Sequence, residues 1–144
     1  MPFIKIWVHL IFSTKNRKSL ITPDLKPALI KHIRENADNK KIYIDFLNCV
    51  SDHIHILLSL KGDQTISKIA QLIKGESSNW INKNNLTHLK FEWQEEYIAI
   101  SVSESIVPKV RDYIKNQEAH HKKKTFAEEY KELMEKFKFD KISG

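Results

Sequence analysis

The chain has 144 residues, a formal net charge of +6 and a single cysteine, Cys49. This length suffices for one domain with one hydrophobic core, which we place over residues 1–144, and one cysteine excludes an internal disulfide framework, as expected in the cytoplasm. No apolar run is long enough to span a membrane, no secretory signal is evident, and the basic charge permits a nucleic-acid partner without requiring one.

The first half of the chain predicts a strand, a helix and a strand hairpin. Residues 3–12 alternate between two faces, and this period of two is typical of a strand. A short basic loop follows, and residues 22–39 then place apolar side chains at helical spacing. Residues 41–50 and 53–60 predict two more strands, and the tight connection at Ser51-Asp52 indicates a hairpin.

The second half predicts a helix, a strand and two further helices. Thr65 is a suitable N-cap for a helix over residues 66–82. A strand is predicted over 91–104 and helices over 106–123 and 125–137. The order β-α-β-β-α-β-α with a final helix favours an α+β fold, in which a ferredoxin-like antiparallel sheet carries packed helices and additional C-terminal helices.

Two histidines interrupt the apolar third strand. Side chains alternate along a strand, so His53 and His55 share one face while the isoleucines beside them, Ile54 and Ile56, share the core face. Two imidazoles on one face can converge on a single ion, although a metal requires further ligands. The alternative is a pair of half-exposed, hydrogen-bonded histidines on the surface of a strand.

A second group of polar residues lies in the helix predicted over 106–123. Tyr113, Gln117 and His121 are spaced at i, i+4 and i+8 and therefore follow one helical face. A Gln carbonyl is a hard oxygen donor, so two imidazoles with this amide are compatible with Mg²⁺ or Mn²⁺. A nearby tyrosine hydroxyl is then a candidate nucleophile on phosphorus. The alternative for Tyr113 is a tyrosine that packs on the sheet.

The two motifs together resemble the small single-tyrosine HUH transposases, which include the REP-associated tyrosine transposases. The stretch "DHIHILL" is similar to the His-hydrophobic-His motif of that family, and "YIKNQEAHH" is similar to its Tyr-x-x-x-Gln helix. The segments "WVHLIFSTKNR" and "LIKGESSNWI" also resemble the family. One departure is Ser51, which stands before Asp52 where the family frequently has proline.

The resemblance implies a specific chemistry. His53 and His55 would bind Mg²⁺ or Mn²⁺ with Gln117 as the third ligand, and Tyr113 would attack a DNA phosphate to leave a 5′-phosphotyrosine and a free 3′-OH. Members act on single-stranded DNA with hairpins and work as dimers, often with the tyrosine helix of one subunit completing the site of the other. No nucleotide cofactor is expected, because the link to tyrosine retains the phosphodiester energy and the three glycines form no phosphate-binding loop.

Basic residues on three segments are candidates for contacts with DNA phosphates, which would make binding salt-dependent. We expect a basic loop beside the first strand and further basic residues, Lys74 and the run that begins at His120, near the site; the alternative for each is ordinary solvated surface. They are Lys15, Arg17, Lys18, Lys74, His120, His121 and Lys122.

Three other functions fit parts of the pattern. A domesticated relative would bind hairpin DNA or RNA without transposing. A replication initiator or relaxase is disfavoured, because those proteins often have Lys three residues after the tyrosine, where this chain has Asn116. A metal-binding interaction module would give no reason for Tyr113 and Gln117 to share a helical face.

Overall fold

The structure is a computed structural model that describes residues 2–139. Within this range the strands form one antiparallel sheet of four, in the order β2-β3-β1-β4. The strands are β1 (Ile6–Ser13), β2 (Tyr43–Cys49), β3 (His53–Leu60) and β4 (Ile98–Val102). This sheet with its helices confirms the predicted α+β, ferredoxin-like arrangement.

Helices cover both faces of the sheet. They are α1 (Leu25–Asn39), α2 (Ile66–Lys83), α3 (Val107–Lys115), α4 (Gln117–His121) and α5 (Phe126–Phe137). Helices α1 and α2 pack on one face, and the α3–α5 segment packs on the other. None of the described helices combines the length and the apolarity needed to cross a membrane.

The alternating pattern of the strands explains this two-sided packing. On β3, Ile54 and Ile56 are fully buried against α1 and α2, whereas Leu57 packs with the α3 side. Each fully buried aliphatic side chain of this kind contributes about 1.5–3 kcal/mol. Thr65 caps α2 as predicted, because its side chain accepts a hydrogen bond from the backbone N–H of Lys68 at 3.2 Å.

The fourth strand is shorter than the predicted range of 91–104. The residues before Ile98 are held by other partners: Asn82 on α2 makes two hydrogen bonds with the backbone of Phe91, at 2.8 and 2.9 Å. Trp93 then forms an isolated bridge with Thr14. A stretch with strand-like composition is therefore anchored as a loop until β4 begins.

The helix predicted over 106–123 is divided at Asn116. The side-chain amide of Asn48 on β2 donates to the carbonyls of Ile114 and Lys115, at 2.9 and 3.3 Å. These carbonyls are thereby bonded to the sheet at the end of α3, and Asn116 adopts a non-helical φ of −95° and ψ of 20°. The break leaves Tyr113 on α3 and Gln117 at the start of α4.

Candidate active site

The two histidines of β3 lie on the sheet face that α3–α5 cover. Both side chains are fully buried, so they are not the half-exposed pair of the alternative interpretation. The ring of Phe126 from α5 stacks on His53 with a centroid distance of 4.0 Å. The ring of Tyr113 from α3 lies 5.7 Å from that of His55. The predicted tyrosine and histidines therefore meet in one enclosed site.

Each histidine is oriented through its Nδ1 atom. His53 Nδ1 lies 2.8 Å from Asp52 Oδ1, and His55 Nδ1 lies 2.8 Å from Nε2 of His9 on β1. Asp52 can take the proton of His53 Nδ1 and thereby leave the lone pair on Nε2, as in metal-binding imidazoles. His53 Nε2 is buried and has no hydrogen-bond partner among the described residues. An unpaired buried nitrogen of this kind fits a metal ligand.

A carboxylate completes this cluster. Glu129 on α5 is 3% exposed, and its Oε1 lies 3.0 Å from His55 Nε2 and 3.7 Å from His53 Nε2. Ligand atoms of these three residues all lie within 4.8 Å of one another. Two imidazoles and a carboxylate are suitable ligands for a divalent ion such as Mn²⁺ or Zn²⁺. The chain therefore contains a possible metal site, in accord with the predicted metal dependence at this general level.

Tyr113 is bound to the same carboxylate. Its hydroxyl donates a hydrogen bond of 2.6 Å to Glu129 Oε2. Burial raises the pKa of Tyr113, and the hydrogen bond to Glu129 raises it further, so the hydroxyl is protonated at neutral pH. The backbone carbonyl of Tyr113 accepts a hydrogen bond of 3.2 Å from the Gln117 amide, which joins the two residues across the helix break.

Gln117 lies fully buried beside the histidines. Its Oε1 shares a hydrogen bond of 3.0 Å with His121 Nε2, and the ring of His121 lies 4.5 Å from that of His53. His121 Nε2 is also 3.5 Å from Glu129 Oε2. The predicted face of Tyr113, Gln117 and His121 is thus assembled around the cluster, with the amide oxygen of Gln117 directed to His121.

Burial sets the charge of the cluster. Desolvation lowers the pKa of His9 to about 3 and that of His55 to about 4, so both rings are neutral at pH 7. Burial alone would raise the pKa of Glu129, but hydrogen bonds from His55 and Tyr113 outweigh it and lower the pKa to about 2. An ionised carboxylate therefore faces the neutral imidazole of His55, and these are the charge states that a metal ion requires of such ligands.

Sequence reasoning missed two of these residues. Glu129 lies three residues after Phe126, on the apolar stripe of the predicted last helix, and a carboxylate on such a stripe was an available signal. His9 lies on the same strand face as Trp7 and Ile11, and its role became visible only through the pairing of β1 with β3. That pairing aligns Ile11 with His55 and brings the ring of His9 to His55.

The candidate DNA-binding residues fall on two sides of the molecule. The exposed guanidinium of Arg17 lies over the rings of Phe126 and Tyr130 at 5.4 and 5.1 Å, so the basic loop flanks the site. Lys74 lies on the α2 side, where its Nζ donates to the carbonyl of Glu95 at 2.7 Å. Helix α2 packs on the sheet face opposite to the histidines, and Lys74 Nζ lies over the rings of Phe12 and Tyr97 at 5.7 and 5.9 Å.

The other predicted basic positions remain close to the tyrosine helix or the loop after β1. His120 is exposed and its ring lies 4.9 Å from that of Tyr113. His121 is part of the cluster itself, and Lys122 is exposed at the end of α4. Lys15 and Lys18 are exposed in the turn after β1, where Lys15 forms an ion pair of 3.5 Å with Glu92.

Comparison with known proteins identifies the family. Residues 3–117 match the family described as "Transposase IS200 like". The chain belongs to this family. The match contains both histidines, Tyr113 and Gln117, and it confirms the resemblance to the single-tyrosine transposases. The IS200-like match ends before α5, which carries Glu129.

Curated relatives are transposases of insertion sequences. The transposase of insertion sequence IS200 from Salmonella typhimurium is 28% identical over 115 residues, covering 76% of this chain and 74% of the relative. The ISDra2 transposase from Deinococcus radiodurans is 25% identical over 114 residues, covering 76% of this chain and 81% of the relative. This IS200-like protein is therefore a protein of DNA transposition and recombination.

Solved structures share the fold. A putative transposase from Deinococcus radiodurans superposes with a TM-score of 0.64 at 23% identity, covering 81% of this chain and 93% of the other. A REP-associated tyrosine transposase bound to a REP hairpin gives a TM-score of 0.64 at 20% identity, covering 84% and 72%. At these identities the likeness establishes the architecture of the IS200-like chain.

Proposed function

We propose that this IS200-like transposase is a single-domain enzyme over residues 1–144 that cleaves and rejoins single-stranded DNA at the hairpin-bearing ends of an insertion sequence. The observation that carries the proposal is the meeting of Tyr113 with His53 and His55 in one enclosed site. The hydroxyl of Tyr113 and Nε2 of His55 both form hydrogen bonds with the carboxylate of Glu129, which thereby connects the tyrosine with the histidines. This arrangement is suited to nucleophilic attack on a phosphate beside a metal ion.

The reaction is an exchange of phosphodiester bonds. The hydroxyl oxygen of Tyr113 forms a bond to phosphorus, and the bond from phosphorus to the 3′-oxygen of the preceding nucleotide breaks. The tyrosine proton is released and the leaving 3′-oxygen gains a proton, so the products are a 5′-phosphotyrosine and a free 3′-OH. Attack by another 3′-OH reverses the step and joins the strands. One bond replaces another of the same kind, so no nucleotide cofactor is required.

Mg²⁺ or Mn²⁺ would be held by His53 and His55. A bound divalent ion polarises the phosphate and stabilises the charge that develops on its oxygens. Asp52 and His9 keep the two rings in place through their Nδ1 atoms. Gln117 is the third ligand that the sequence predicts, and the geometry offers Glu129 as a second candidate.

The substrate and the assembly follow from charge and from the family. The basic turn at Lys15, Arg17 and Lys18 and the exposed residues His120 and Lys122 flank the site, and they would contact the phosphates of single-stranded or hairpin DNA. His121 would act from inside the site. Lys74 would contact only DNA that extends around the sheet. The structural neighbour bound to a REP hairpin supports this substrate class. We further propose a homodimer that acts in the cytoplasm.

The covalent adduct tests the proposal. Wild-type protein is incubated with a single-stranded hairpin oligonucleotide and Mn²⁺, and the products are separated on a denaturing gel. A protein-linked DNA band is expected for the wild type and for Tyr130→Phe, and it should be missing for Tyr113→Phe. Tyr130 is a matched control because it lies on α5 beside Phe126, close to the same face. An adduct with Tyr113→Phe would contradict the assignment.

A further inference from the structure

The carboxylate of Glu129 is buried without a permanent positive charge beside it. The groups described around its two oxygens are the imidazoles of His53, His55 and His121 and the hydroxyl of Tyr113. Hydrogen bonds from His55 and Tyr113 keep this carboxylate ionised, but they bring no net positive charge to offset its burial. Since none of the four groups is a lysine or an arginine, the surroundings favour a cation at this position.

Two of the three distances between the ligand atoms agree with one ion held by three side chains, and all three atoms lie within 4.8 Å of one another. Ligand atoms that surround an ion at about 2.1 Å lie about 3–4 Å from one another. Glu129 Oε1 is 3.0 Å from His55 Nε2 and 3.7 Å from His53 Nε2. His53 Nε2 has no hydrogen-bond partner among the described residues, and so its lone pair is available on the same side.

The start of α5 fixes the position of this carboxylate. Thr125 and Glu128 form a capping box, in which each side chain bonds the backbone of the other. Phe126 then stacks on His53 in the first turn, and Glu129 follows on the same side of the helix. The capping box and the stacking of Phe126 on His53 therefore both hold the start of α5 in the position from which Glu129 faces the histidines.

We propose that Glu129 is the third metal ligand of this transposase and that its second oxygen positions the nucleophile. Oε1 is directed to the ion site, while Oε2 accepts the hydrogen bond from Tyr113 at 2.6 Å. One side chain from α5 therefore connects the ion with the attacking hydroxyl. Gln117 supports the site indirectly in this arrangement, because its Oε1 is hydrogen-bonded to His121 Nε2 and its side-chain amide donates to the Tyr113 carbonyl. The inference rests on the metal-dependent cleavage proposed above.

Binding of Mn²⁺ alone tests this ligand set without any reaction. Isothermal titration calorimetry of the full chain compares wild type with Glu129→Gln, Gln117→Ala and the control Glu135→Gln. Glu135 is exposed on the same helix, and its substitution removes the same charge. We expect Glu129→Gln to weaken Mn²⁺ binding by at least about tenfold, the smallest loss typical of residues that only support a metal ligand. The Glu135→Gln variant should retain the wild-type affinity, and Gln117→Ala should lose less affinity than Glu129→Gln.

Two further measurements separate positioning from folding. Circular dichroism melting without metal shows whether Glu129→Gln folds. If it does not, Glu129→Asp takes its place, because it keeps the charge and withdraws the carboxylate by one methylene. In the folded variant, the single-turnover rate of adduct formation should fall, while the affinity for hairpin DNA measured in EDTA stays unchanged. A merely structural role would alter both.

The outcomes distinguish this inference from the proposed function. If His53→Ala/His55→Ala loses Mn²⁺ binding while Glu129→Gln keeps the wild-type affinity, the metal centre stands and the role of Glu129 is refuted. A loss in Gln117→Ala but not in Glu129→Gln refutes it as well. If the double histidine variant binds Mn²⁺ as tightly as wild type, the proposed metal centre itself is wrong.

Discussion

The two faces of the sheet are built from the same strands but have opposite chemistry. On β3, Ile54 and Ile56 enter an apolar core beneath α1 and α2, while His53 and His55 enter a polar cluster beneath α3–α5. All four side chains are fully buried. The first face obtains its stability from apolar area removed from water, whereas the second combines apolar side chains such as Leu57 and Ile11 with polar groups that hydrogen bonds keep in place. Because neighbouring side chains of β3 point to opposite faces of the sheet, residues of the apolar core alternate along this strand with residues of the candidate active site.

The histidines should be required for chemistry far more than for the fold. We expect His53→Ala to reduce adduct formation by about 10³-fold or more, because a bound metal supplies several kcal/mol of transition-state stabilisation and 1.36 kcal/mol is tenfold. Denaturing gels with Mn²⁺ measure the adduct, and thermal melting measures the fold. The control is His88→Ala, since His88 is exposed. Full cleavage by His53→Ala would show that the histidine face of the sheet is not required for chemistry.

The composite site should function within one chain. Tyr113, His53 and His55 of the same chain are in contact range, and Glu129 joins them. A mixture of Tyr113→Phe protein with His53→Ala/His55→Ala protein should therefore form no adduct, even when differently tagged subunits are shown to exchange by co-purification. Recovery of activity in the mixture would mean that the tyrosine helix acts on the histidines of a partner subunit, as the family resemblance often implies.

The apolar face should respond to substitution through stability. Ile56 is fully buried, and Ile56→Ala should lower the free energy of unfolding by about 2–5 kcal/mol through lost burial and the cavity left behind. Ile6→Ala is the matched control, because Ile6 is 45% exposed and its truncation should cost less than about 0.5 kcal/mol. Urea denaturation measures both. Equal losses at the two positions would show that the core is not where we place it.

The sequence was sufficient to predict the order of the elements and the two faces of β3. Both depend on short-range periodicity, which needs no knowledge of distant residues. The division of the helix at Asn116 was not predictable in this way, because Asn48 lies 66 residues from Ile114. Glu129 likewise reaches His55 across 74 residues. The partner in each contact depends on how the helices pack, which the local pattern does not encode, although a carboxylate on the apolar stripe of the last helix was a signal for Glu129 itself.

The smallest expected effects concern DNA binding by single basic residues on the two sides. Arg17 lies beside α5 near the site, whereas Lys74 belongs to α2 and donates to the carbonyl of Glu95. For a short hairpin, Arg17→Ala should weaken binding and reduce the slope of log affinity against log salt by about 0.7, the value for one phosphate contact on a single strand. Lys74→Ala should change neither quantity, because a short hairpin at the site does not extend around the sheet. Fluorescence anisotropy at several salt concentrations measures the slope for both variants, with a plain duplex of matched composition as the comparison ligand.

The wild type should bind the hairpin more tightly than the duplex, since unpaired bases can stack on aromatic side chains. An equal loss for Lys74→Ala would require the hairpin to contact both faces, and tighter binding to the duplex would contradict the proposed substrate.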